Sequence, residues 1–165
     1  MTVLSIFEHM LWPALASIGF AVLFNVPHRT LIVILGMGAV CGLTKYVTME
    51  FGMHVITASF LAAIVVGFLS ISAAQNKLSP MYVFAIPSII SMIPGAFSYR
   101  TMLGLIQLTQ DLNPDQYVEV LHNVTSNGLN AVFVLLSISV GVSIPMLLTR
   151  HESAREIVAL VKRNP

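Results

Sequence analysis

Charge is what this chain has least of. Charged residues make up 9% of its 165 positions, where soluble globular proteins carry about 25%. Hydrophobic residues make up 56%, with a mean hydropathy of +0.87. A small domain leaves roughly 40% of its unfolded-chain surface exposed, so these residues cannot all hide in one core, and a water-soluble monomer is excluded. Cysteine is nearly absent: Cys41 alone permits neither an internal disulfide nor a cysteine-based metal cluster. Eight Lys and Arg against seven Asp and Glu give a net charge of +1. No basic face is available to displace counterions from phosphates, so no nucleic-acid partner is expected. Gly-x-x-x-x-Gly-Lys-Ser/Thr, His-Glu-x-x-His and Gly-x-Ser-x-Gly are all missing, and the histidines are scattered. Nothing points to an enzyme, a cofactor or ATP hydrolysis.

What the chain does have is long apolar stretches. Crossing a bilayer takes about 20 mostly apolar residues, because the hydrocarbon core is about 30 Å thick. Five stretches approach this, at about 6–24, 30–47, 54–74, 80–99 and 129–148. The fold class is therefore an all-α, polytopic integral membrane protein with five transmembrane helices, the fourth broken at Pro94-Gly95. A membrane domain over 1–148 is followed by a polar tail, 149–165. Lys45, late in the second stretch, is expected to snorkel to the interface. No Lys or Arg precedes Arg29, so the first stretch does not read as a cleavable signal peptide. Alternating the loops puts Arg29, Lys77, Arg150, Arg155, Lys162 and Arg163 on one side, with Lys45 and Arg100 on the other. The positive-inside rule then predicts an external N-terminus and a cytoplasmic tail.

Residues 100–128 read as the one long connection, with Asp111, Asp115 and Glu119 on the outer face. Apolar residues recur there at helical intervals, and Asn113-Pro114 reads as a cap followed by a first-turn proline. One or two interfacial helical pieces are expected.

Small residues four apart mark packing faces: Gly38 and Gly42; Ser59, Ala63 and Gly67; Ser137 and Gly141; Ser139 and Ser143. The fourth stretch is the most informative, since Pro87, Ser88, Ser91, Pro94, Gly95 and Ser98 interrupt one apolar helix just before Tyr99 and Arg100. Each proline removes a backbone hydrogen bond. Irregular backbone at membrane depth is tolerated only against protein or a water-filled cavity, and transporters aim such broken-helix ends at anionic groups. The other reading is a plain kink whose serines bond back to their own helix. Arg100 is a candidate carboxylate anchor or an interfacial arginine meeting headgroups. Glu8 and His9 suit proton coupling or a solvated interface. Ser139 and Ser143 could line a polar path or serve packing alone.

Three segments carry a resemblance. Gly19-Phe20-Ala21-Val22-Leu23-Phe24-Asn25-Val26-Pro27, Ile93-Pro94-Gly95 with Tyr99, and Ser139-Val140-Gly141-Val142-Ser143-Ile144-Pro145 resemble the threonine/serine exporter family. The likeness is to the small subunit of its split, two-chain form, the counterpart of the C-terminal membrane half of single-chain exporters. The resemblance implies a multi-pass bacterial inner-membrane protein. It would work with a larger membrane subunit to export threonine and serine or, in some split members, dicarboxylates such as succinate; a homo-oligomer is a separate expectation. The turn at Asn25 and Pro27 and the break at Pro94-Gly95 would then shape or hinge the path. The competing expectation is a non-transporting scaffold subunit.

Overall fold

The computed structural model describes residues 3–77, 79–110 and 113–163, with side chains described only as far as Thr149. Asp111 lies outside the described residues, as do the side chains of Arg150 and of the tail cations. Six helices follow in order: α1 Val3–Leu23, α2 Leu31–Glu50, α3 Val55–Lys77, α4 Tyr82–Ile89, α5 Gly95–Leu108 and α6 Pro114–Arg163. Among the described residues there is no strand. Stretches of α1, α2, α3 and α6 are each long and apolar enough to cross a bilayer, and the bent pair α4–α5 makes a fifth if it counts as one span. An all-helical answer follows from the solvent, because lipid cannot satisfy a backbone N–H or C=O that the segment does not satisfy itself.

Helix ends are closed by short local motifs. Asn25 adopts φ 55°, and its N–H donates to the Val22 carbonyl while that of Val26 donates to Ala21, both at 3.0 Å. This is the paired C-terminal cap in which a left-handed residue satisfies two orphan carbonyls. Gly52, at φ 80°, closes α2 in the same way.

Small residues set the packing. α1 and α2 run antiparallel, with Gly38 against Ser17 and Gly42 against His9 and Pro13. Pro13 has no N–H to give the His9 carbonyl, and that carbonyl rests on Gly42 instead. α3 and α6 run parallel, with Gly141 against Phe60 and Ala63, and Gly67 against Pro145. α4 lies across α1, α2 and α3, while α5 packs on α6. Ile34, Val66, Phe84 and Val134 are fully buried where these layers meet. Of the small residues picked out by spacing, Ser59, Ala63, Gly67, Gly38, Gly42 and Gly141 are buried. Ser139 and Ser143 are exposed.

The stretch read as a long connection with one or two helical pieces, 100–128, is almost wholly helical. α5 runs on to Leu108 and α6 starts at Pro114, so the link is only 109–113. Asn113 accepts a hydrogen bond from the Tyr117 N–H at 2.9 Å, as expected of a residue preceding a first-turn proline. Gly104 makes the hairpin possible, since a Cβ there would strike the Val124 side chain. Counting back from the Gly141 contact, Val55 at the start of α3 comes level with about residue 135 of α6. Some 20 residues of α6, roughly 30 Å, therefore extend with α5 beyond the start of α3.

Gly141→Ala is predicted to lower stability by about 1–3 kcal/mol, because the new methyl would lie 2.8 Å from the Ala63 Cβ and 2.9 Å from the Phe60 carbonyl. Gly36→Ala, with no heavy atom within 4 Å, should not lower it and gains up to about 1 kcal/mol from helix propensity. Unfolding of the detergent-purified variants checks the contrast.

Candidate functional site

The site begins where α4 fails. Pro87 sits buried inside α4, which continues past it to Ile89 and tightens into a 3-10 turn, Ile90–Met92. Pro94 then takes φ −79°, ψ 58°, and the Gly95 N–H donates to the Ile93 carbonyl at 2.8 Å. That is an inverse γ-turn, and it turns the chain by 53° into α5. Gly95 is the first residue of α5, and a Cβ there would meet nothing within 4 Å. The break is thus made by proline alone.

Three serines flank the turn, and they differ. Ser88 Oγ donates to the Phe84 carbonyl at 2.8 Å and Ser98 Oγ to the Pro94 carbonyl at 3.1 Å, as in a plain kink. Ser91 Oγ is buried with no hydrogen-bond partner. An unsatisfied buried hydroxyl costs about 1–3 kcal/mol unless water or a solute supplies the bond.

Ser91 faces a cavity of about 450 Å³ lined also by His9, Pro13, Gly42, Lys45, Tyr46, Met49, Glu50 and Met92. The bend explains it. α1 and α2 pack on α4 and its 3-10 turn, while α5 departs to α6, so the later turns of α2 lose the cover that a straight helix would have given. At 1.5 Å per residue from Leu31, Gly42 stands about 16 Å and Glu50 about 28 Å along α2. The cavity therefore reaches from mid-membrane depth to the end of the span. The His9 ring stacks on Tyr46, centroids 4.2 Å apart and planes inclined by 30°. Its Nδ1 lies 2.8 Å from the Ser5 carbonyl and so donates, which in the neutral ring leaves Nε2 as an acceptor. Lys45 is half-buried and Glu50 exposed, placing an ammonium and a carboxylate on one wall.

The residues singled out from sequence do not form one site. His9 and Ser91 share the cavity, and Pro94 with Gly95 lies just beyond Ser91. Glu8 is exposed and joins His9, Trp12 and Pro13 along a smaller cleft. Arg100 lies in a separate cleft between α5 and α6, and Tyr99 is exposed. Asn25 and Pro27 form the exposed turn between α1 and α2. Pro87 also borders an apolar groove with Phe24, Val26 and Tyr82. Ser139 and Ser143 face outward, Ser143 Oγ donating to the Ser139 carbonyl at 2.7 Å. Sequence reasoning missed Lys45, Tyr46 and Glu50 as site residues. The signal was available only through pairing, since once Gly42 packs on Pro13 the following turn of α2 falls beside His9. Among the described residues no three His, Cys, Asp or Glu are grouped to hold a metal.

Helices of membrane length, packed through small residues beside a cavity at a broken segment, are those of a multi-pass membrane protein. The comparisons agree. The family described as "Threonine/Serine exporter, ThrE" matches residues 9–148, and the chain belongs to that family, which points to a membrane transporter. An uncharacterized protein of Haemophilus influenzae is 30% identical over 145 residues, covering 88% of this chain and 48% of the relative. The chain thus spans about half the length of that curated relative. No solved structure matches.

Gly95→Ala should be tolerated, raising stability by up to about 1 kcal/mol through helix propensity, because neither space nor backbone angle requires glycine there. A lowered unfolding midpoint in detergent would show that the break needs both residues.

Proposed function

We propose that this chain supplies one membrane half of a secondary exporter, and that the cavity at the Pro94 break is part of its solute path. The observation that carries the reading is the meeting of Lys45, Glu50 and Ser91 on one cavity, with the Ser91 hydroxyl buried in its wall and without a hydrogen-bond partner. An ammonium suits a carboxylate, a carboxylate suits an ammonium, and a serine hydroxyl suits a hydroxyl. A zwitterionic hydroxy amino acid such as threonine or serine satisfies all three. A dicarboxylate such as succinate would place a second negative charge near Glu50, so the amino acid is the preferred substrate. His9, with an acceptor nitrogen beside this cavity, and Glu8 on the adjoining cleft are the candidates for proton coupling.

The relative, of which this chain matches 48%, leaves room for a companion half of similar length; we assign that half to a larger membrane subunit, as the resemblance to the split form implies. The bacterial relative and the apolar helices support an inner-membrane location. The basic residues of the 77 and 150–163 ends support a cytoplasmic C-terminus and an external N-terminus.

The test is efflux of preloaded labelled threonine, serine and succinate from cells expressing this chain, the candidate companion, or both. Export should require both and favour threonine or serine, and Lys45→Gln should slow it about tenfold or more at matched abundance. Full efflux by the companion alone would make this chain a scaffold, and succinate preference would overturn the substrate assignment.

A further inference from the structure

We propose that the cleft between α5 and α6 is a second solute site, one that takes the carboxylate of a small polar solute and lies apart from the cavity at the break. The cleft encloses about 330 Å³. Its polar lining is one guanidinium, Arg100, and three carboxamides, Gln107, Asn123 and Asn127. Among the described residues no carboxylate lines it, so the charge it offers is positive and suits an anionic group.

The chemistry is specific to that anion. Among the described residues no side chain or carbonyl hydrogen-bonds or pairs with the Arg100 guanidinium, which leaves its fork open to grip a carboxylate through two parallel bonds. Asn127 Nδ2 donates to the Asn123 carbonyl at 2.7 Å. That bond steadies the carboxamide and leaves its oxygen as an acceptor for a hydroxyl or ammonium. Gly104 brings α6 close enough for both helices to contribute, since its missing Cβ admits Val124.

Position gives the site a role. The hairpin reaches roughly 30 Å past the start of α3, on the side where Glu50 ends α2 and the cavity reaches the end of the span. A solute leaving the cavity on that side meets the hairpin next. The role as a station on the path rests on the exporter reading, whereas the binding itself does not.

The test uses the purified full chain in phosphatidylcholine nanodiscs, with binding of succinate and of threonine followed by saturation-transfer NMR. Binding should saturate, persist in Lys45→Gln, and weaken about tenfold or more in Arg100→Gln, with Asn127→Ala weakening it in the same direction. Neutral succinamide should not compete. Unchanged binding in Arg100→Gln and Asn127→Ala, or equal competition by succinamide, would overturn the assignment. Loss of binding when phosphatidylglycerol is added would also overturn it, since a lipid headgroup would then be the occupant. A chain that binds here but exports nothing with its companion would refute the exporter reading and leave this site standing.

Discussion

Lipid offers no hydrogen bonds, and the rest of this structure depends on that constraint. It forces every crossing segment into a helix, and it makes a helix break expensive wherever the freed backbone would face hydrocarbon. Pro94 breaks one nonetheless. The Ile93 carbonyl is satisfied at once by the Gly95 N–H, and the bend turns α5 away from α1 and α2. The space left behind is lined by polar residues that a continuous apolar span would have covered: Ser91, Lys45 and His9.

Small residues decide what surrounds that space. Gly42 lets the His9 turn of α1 come close enough for His9 to stack on Tyr46. Gly141 and Gly67 lock α6 to α3 in parallel, which carries the start of α6 well past the other helices and gives α5 something to pack on. The cavity and the hairpin are therefore two consequences of the same bend, one on each side of it. An apolar surface as broad as Trp12, Ile32, Val140 and Leu147 present is what a chain embedded in lipid carries.

Much of the fold was legible in the sequence, because hydropathy runs and proline placement act locally. The break at Pro94 and the helix start at Asn113-Pro114 are such local signals. The spacing of Gly38 with Gly42, and of Ser59, Ala63 and Gly67, also marked buried faces correctly. The hairpin was less legible, because Arg100, Asp115 and Glu119 mark a connection between spans, and only the approach of Val124 to Gly104 shows that its helical pieces pair. Ser139 and Ser143 could not be oriented from sequence, because polarity on a helix gives no direction, and theirs lie on an exposed face. Lys45 was hidden by its own chemistry, since a lysine near a span end can snorkel to an interface or turn into a cavity. Only the fit of α1 on α2 separates the two. Family membership, shown over residues 9–148, agrees with the resemblance carried by the Phe24-Asn25-Val26-Pro27 and Pro94-Gly95 segments.

The central claim is that water reaches the middle of this membrane domain through the cavity at the break. A Ser91→Cys variant, made with Cys41→Ala so that it carries a single thiol, tests this directly by reaction with a small charged thiol reagent in intact membrane vesicles. Rapid modification at Ser91→Cys, with none at Ile138→Cys in the packed core, is the predicted result. A thiol at position 91 as inert as one at 138 would mean that the cavity is dry, and that the broken helix is a packing kink and not part of a path.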